Sequence, residues 1–203
     1  MQSESENTSS NQNADMISNI NRLQQEYYEK NNKNIFFKKN QKYDCANIIT
    51  QNINVQQLFE KTLFVLNHNS TESEIYFDYT VFKTYIHPGI FDEFLDYINY
   101  ISFNYIEKME KYILHLNFQH ITISAFERYC PLVKRIMQTF PVDAIKMQKT
   151  YIYYTPSVID QMMKVMHPFI SHFRDKIVFY TKMESPEKIN GLILSYNNNN
   201  NNA

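Results

Sequence analysis

Between residues 111 and 181, short apolar runs alternate with longer amphipathic segments, and no glycine interrupts the pattern. The runs at 112–118, 151–155 and 177–181 have strand length and are rich in β-branched and aromatic residues. The segments between them carry apolar residues at helical spacing. Strand alternating with crossover helix predicts an α/β fold built on a mostly parallel sheet of about four or five strands. The whole chain holds only two glycines, Gly89 and Gly191. Dinucleotide and nucleoside-triphosphate sites bring backbone against phosphate through glycine-rich turns, and this sequence offers none. The commonest ligands of an α/β sheet are therefore disfavoured.

With 203 residues the chain suits one domain with tails, and a 43% hydrophobic, 15% aromatic composition can fill a core. A formal net charge of −1 gives no global attraction to nucleic acid, and no aromatic RNA-binding motif accompanies the interleaved Tyr and Lys. A nucleic-acid partner is not expected. Cys45 and Cys130 fit no metal or redox spacing, which suggests a reducing compartment. The first residues lack the basic and apolar regions of a signal peptide, and no apolar run reaches membrane-spanning length. The expected location is cytoplasmic, with room for peripheral membrane contact.

Residues 1–14 are polar and read as a disordered tail, and 195–203 as an Asn-rich one. Residues 15–70 read as a helical N-terminal extension. It has one helical stripe through Met16, Ile20, Leu23 and Tyr27, and a second through Val55, Leu58, Phe59, Val65 and Leu66, with Asn54 as N-cap. Between them, 31–54 reads as irregular around an Ile35-Phe36-Phe37 knot. The α/β domain spans 71–194, with an alternating strand at 75–82 and a long helix from Phe91 after the His87-Pro88-Gly89 breaker. Ser124, Ser157 and Ser185 each stand at an expected helix start. Pro131 predicts a kink or a fresh start.

The run Tyr151-Ile152-Tyr153-Tyr154-Thr155-Pro156 is followed by Met166-His167-Pro168-Phe169-Ile170 and then Lys176-Ile177-Val178-Phe179. Upstream lie Tyr112-Ile113-Leu114-His115-Leu116-Asn117, Ile121-Thr122-Ile123-Ser124 and Phe140-Pro141. This order resembles the CRAL-TRIO family of lipid-binding domains, and is most similar to its divergent branch, found beside GTPase-activating domains and in scaffold proteins. The resemblance covers 112–181 well and 75–111 loosely. It implies a CRAL-TRIO-like sheet and a non-enzymatic domain whose ligand is a lipid or other small hydrophobic molecule, with a membrane surface or a protein as further partners. It implies no cofactor. Asn117 stands where the family has an acidic residue, and Tyr154-Thr155-Pro156 replaces Asn-Ala-Pro. The chain after 181 is short for a gate helix over a cavity. That leaves open a second role, a protein-interaction or scaffold module of the same fold.

Under the lipid reading, the expected ligand contacts are Leu114, Leu116, Ile152, Tyr154, Met162, Met166, Phe169 and Val178. The methionine stripe has a plainer explanation as a buried helix face. Sequence alone does not say which face of the 151–154 strand meets a pocket. Lys134, Arg135, Lys146 and Lys149 are the candidate contacts for an anionic headgroup or acidic partner, with a solvated helix face as the alternative. His115 and His120 are five residues apart, as are His167 and His172, and no carboxylate or cysteine in register completes a metal site. No serine stands in a nucleophile elbow, and Asn117, Thr155 and Thr181 at the strand ends are weak chemistry. No catalysis is expected.

Overall fold

The computed structural model describes residues 4–31, 38–69, 71–139 and 146–200. The expected Ile35-Phe36-Phe37 knot and the Phe140-Pro141 pair lie outside them. Three helices open the chain, α1 (Glu4–Lys30), α2 (Lys38–Asn52) and α3 (Val55–Thr62). Strands β1 (Leu63–His68) and β2 (Glu72–Asp78) follow, then α4 (Tyr79–Tyr85), a single 3-10 turn and α5 (Phe91–Tyr105). The rest alternates as β3 (Lys111–Asn117), α6 (Ile123–Thr139), β4 (Met147–Tyr153), α7 (Ile159–Ile170), β5 (Ile177–Phe179) and α8 (Ser185–Asn200).

The five strands form one sheet in the order β1-β2-β3-β4-β5. β1 and β2 pair antiparallel, and every later pair is parallel. Right-handed crossovers between successive strands in one direction put every connecting helix on the same side. Accordingly, α5, α6 and α7 all meet the face that carries Ile75, Leu114, Thr150 and Ile177, a row fixed by the strand register. The opposite row is Tyr76, His115, Tyr151 and Val178.

That second face is covered by α8. Ser185, fully buried at its start, accepts a hydrogen bond from Tyr154 N at 2.6 Å and donates to Thr181 O at 2.6 Å. At its far end, the Tyr196 ring lies 6.1 Å from Phe64 on β1. Eleven residues of helix rise about 16 Å, enough to cross the roughly 14 Å between β4 and β1. Beneath it His115, Tyr151, Tyr153 and Tyr180 stack with rings 5.2–6.0 Å apart. His115 Nδ1 shares a 2.8 Å hydrogen bond with the Tyr153 hydroxyl.

Several expectations are corrected. The second stripe ends at Thr62, and Leu63, Phe64 and Val65 pair with β2 with Leu66 at a bulge, so the 70/71 boundary falls between partnered strands. A continuous apolar run of four fits either period, and pairing with β2 decides for strand. The strand expected at 75–82 stops at Asp78, whose carboxylate accepts from Thr80 N and caps α4. Residues 38–52 are helical because Cys45, Ile49 and Ile53, four apart, bury one side against α1 and α4. The polar ends also extend helices, α1 back to Glu4 and α8 on to Asn200, since propagation costs little once a helix is nucleated. Pro131 sits inside α6 without ending it. Asn54 caps α3 as expected, accepting from Gln57 N. Thr122 rather than Ser124 caps α6, α7 starts after Val158 with no side-chain cap, and Thr181 with Glu184 forms the capping box before α8.

Candidate functional site

The core is in two parts. The larger joins α1–α6 to β2, and the smaller groups Tyr112, Phe126, Met147, Met162, Met166, Ile170 and Phe173. Between them lies a cavity of about 500 Å³, floored by the sheet and roofed by α5, α6 and α7. Its floor is Ile75, Leu114, Leu116 and Ile152, and its roof includes Ile98, Val133, Ile136, Met163 and Met166. Leu114 and Leu116 sit on the central strand, facing inward, yet are only partly buried. The void opposite them explains that exposure.

Polar groups are few. Exposed Asn99 and Glu107 mark the mouth, where Lys146 Nζ donates to Glu107 O at 2.7 Å. Glu107 and Lys146 are the only carboxylate and ammonium groups among the described lining residues. Deeper in, Thr150 turns its hydroxyl to Met147 Sδ at 3.3 Å. No nucleophile with an adjacent base stands on the wall, and among the described residues no group of three His, Cys, Asp or Glu is placed to hold a metal. What the arrangement can do is enclose an apolar molecule of drug or acyl-chain size, within the usual range of roughly 300–1,000 Å³.

Energetics sharpen this. The cavity opens at its mouth, so without a ligand water enters it and the apolar wall stays hydrated, at a cost of about 25 cal/mol per Å² of apolar surface. Water is a poor filler here, because it needs two to four polar partners and the wall offers almost none. An apolar occupant removes the deficit.

Five of the eight expected ligand contacts, Leu114, Leu116, Ile152, Met162 and Met166, line the cavity. Met162 and Met166 are at once core and wall, so both readings of the stripe meet in them. Val178 is a correction: it pairs with Tyr151 and so points to the α8 side. Tyr154 is another. It lies past the end of β4 at φ 52°, its backbone tied to Ser185, and is not among the lining residues. The Phe169 side chain lies outside the described residues. The four expected cations do not converge. Lys134 and Arg135 are exposed on α6, Arg135 paired with Asp92, while Lys146 is at the mouth and Lys149 pairs with Ile113, on the sheet's other face. Helix α8 contributes no residue to the cavity wall. Sequence reasoning missed α5, whose Phe94, Ile98 and Ile101 share the wall; their i, i+4, i+7 spacing carried the signal.

Compared with family models, curated proteins and solved structures, the chain matches none.

Proposed function

We propose that this chain is a non-enzymatic, CRAL-TRIO-like domain that holds a lipid or other small hydrophobic molecule between its sheet and helices α5–α7. The observation that carries the reading is the apolar cavity of about 500 Å³, whose wall an apolar occupant would take out of water. The order of elements over 112–181 supports it. So does the position of the mouth, beside Tyr100 and Phe103, two exposed aromatics on α5. The amphipathic ring of Tyr100 favours the boundary between water and lipid and the apolar ring of Phe103 its lipid side, so the mouth can approach a membrane surface to load. Among the described residues no helix is long and apolar enough to cross a membrane. Contact of that kind is peripheral.

The scaffold alternative needs no cavity and gains nothing from one. Native mass spectrometry after incubation with mixed fatty acids and phospholipids tests the proposal. Stoichiometric retention of one apolar species is expected, lost when Met166→Trp obstructs the wall. Failure of every lipid to bind the folded protein would refute it.

A further inference from the structure

A second pocket, of about 560 Å³, lies on the other side of Tyr79 from the apolar cavity, and its chemistry is opposite. It is lined by Lys42 from α2, Lys83 from α4 and Arg128 from α6, with His120, Thr122 and Ser124 from the turn after β3. No carboxylate is among the described lining residues. The three cations come from separate elements and converge where the chain leaves the carboxyl ends of β2 and β3, the edge at which α/β sheets usually bind ligands.

Each of the three rests on a ring instead of an acid. Lys42 Nζ is 5.2 Å from the Tyr28 ring centre, Lys83 Nζ 5.7 Å from Tyr79, and the Arg128 guanidinium 5.5 Å from Tyr129. Among the described residues no ion pair joins Lys42, Lys83 or Arg128 to an acid, and the pairs Arg22–Glu26 and Arg135–Asp92 lie elsewhere. The Asp78 carboxylate also acts on Lys83, but it is not part of the pocket wall and spends one oxygen on Thr80 N and Oγ1 as the cap of α4. Arg128 Nε is buried without a hydrogen-bond partner. Burial, and after it the Lys42 charge, hold the Lys83 ammonium below its usual range. The seventeen-residue helix α6 adds the positive end of its dipole. Just ahead of it, His120 adopts φ 65°, the left-handed conformation that histidine enters more readily than most side-chain-bearing residues.

Three cations meet here with no carboxylate on the described wall, and Lys83 bears a cost of burial and of Lys42 repulsion that a multivalent anion would relieve. We propose that this pocket binds the phosphoryl group of a phosphate-bearing small molecule, with Lys42, Lys83 and Arg128 neutralising the charge and the Thr122 and Ser124 hydroxyls donating to its oxygens. This inference stands whether or not the apolar cavity holds a lipid.

Titration of the full chain with pyrophosphate and glycerol 3-phosphate at constant ionic strength, followed by calorimetry and amide shifts, tests it. A parallel arm uses phosphatidylcholine vesicles with and without phosphatidic acid. Saturable binding is expected, with shifts confined to α2, α4 and the start of α6, and weakened about tenfold or more by Lys83→Gln or Arg128→Gln. Lys42→Gln, at an exposed position, removes one charge without disturbing packing and should weaken binding in the same direction. Binding to the soluble probes assigns a free metabolite. Binding only to vesicles with phosphatidic acid, with the same variant sensitivity, assigns a lipid headgroup. Absence of saturable binding in both arms, or binding indifferent to all three variants, overturns the proposal.

Discussion

Replacing Leu114 by Phe separates a void from a packed core by the sign of its effect. Leu114 lies on the central strand, between Ile75 and Thr150, and faces the cavity. The substitution adds three carbons. At about 0.8 kcal/mol per buried carbon the gain is at most about 2.4 kcal/mol, and about 1–2 kcal/mol after the ring's ordering is allowed for. In a close-packed interior the same enlargement would cost about 1–3 kcal/mol. Leu58 provides that contrast within the protein, since it is wholly buried in the larger core cluster. Urea unfolding of lipid-stripped protein should show the midpoint rising for Leu114→Phe and falling for Leu58→Phe, with unchanged slopes. Adding fatty acid to the unaltered protein should raise its stability by about 2.7 kcal/mol at one hundred times Kd, and by less for Leu114→Phe, whose ring occupies the space. If Leu114→Phe destabilises as much as Leu58→Phe, the cavity is closed in solution and the ligand reading fails with it.

Ser185→Ala removes the acceptor of the Tyr154 amide at a fully buried position, so unfolding free energy should fall by about 1–3 kcal/mol. Faster hydrogen exchange at Tyr154 should accompany it; a loss below about 0.5 kcal/mol would remove Ser185 as the anchor of α8. His87 supplies a pH dependence. Its Nδ1 accepts from Gly89 N at 3.2 Å and its Nε2 lies 3.0 Å from Thr50 Oγ1, so the ring is neutral when folded. Burial lowers its pKa, so below the ordinary histidine range of about 6.5 the unfolded chain binds the extra proton first. Its contribution is therefore full above that range and lost as pH falls through the folded value. His87→Asn should flatten the decline in stability between pH 7.5 and 5 relative to the unaltered chain; parallel curves would rule His87 out. The same ring explains Gly89, because a Cβ there would stand 3.0 Å from His87 Cε1.

How far the sequence revealed the fold depended on whether a segment's pattern belonged to one period only. Strands β3 and β4 were legible because β-branched and aromatic residues cluster between amphipathic stretches. β1 was not, since Leu63–Leu66 continues the stripe of α3 without a break. α4 was misread because Tyr79 and Val81 prolong the alternation of β2, while its buried Phe82 and Tyr85 lie three apart. For the cavity, parity along each strand was visible but its sense was not. Only the pairing of Thr150 with Ile177 shows that Ile152 faces inward and Val178 outward. The cationic pocket left no trace at all, because Lys42, Lys83 and Arg128 belong to three elements that no periodicity links.

Strand order along the sheet is also the order along the chain. Each strand can therefore dock on the one synthesised just before it, and none must be threaded between two already in place. Helix α8 is the exception, reaching from the last strands back to Phe64 on the first. During synthesis the cavity side can be assembled step by step, whereas the stacked rings of the other side stay open to water until α8 has left the ribosome.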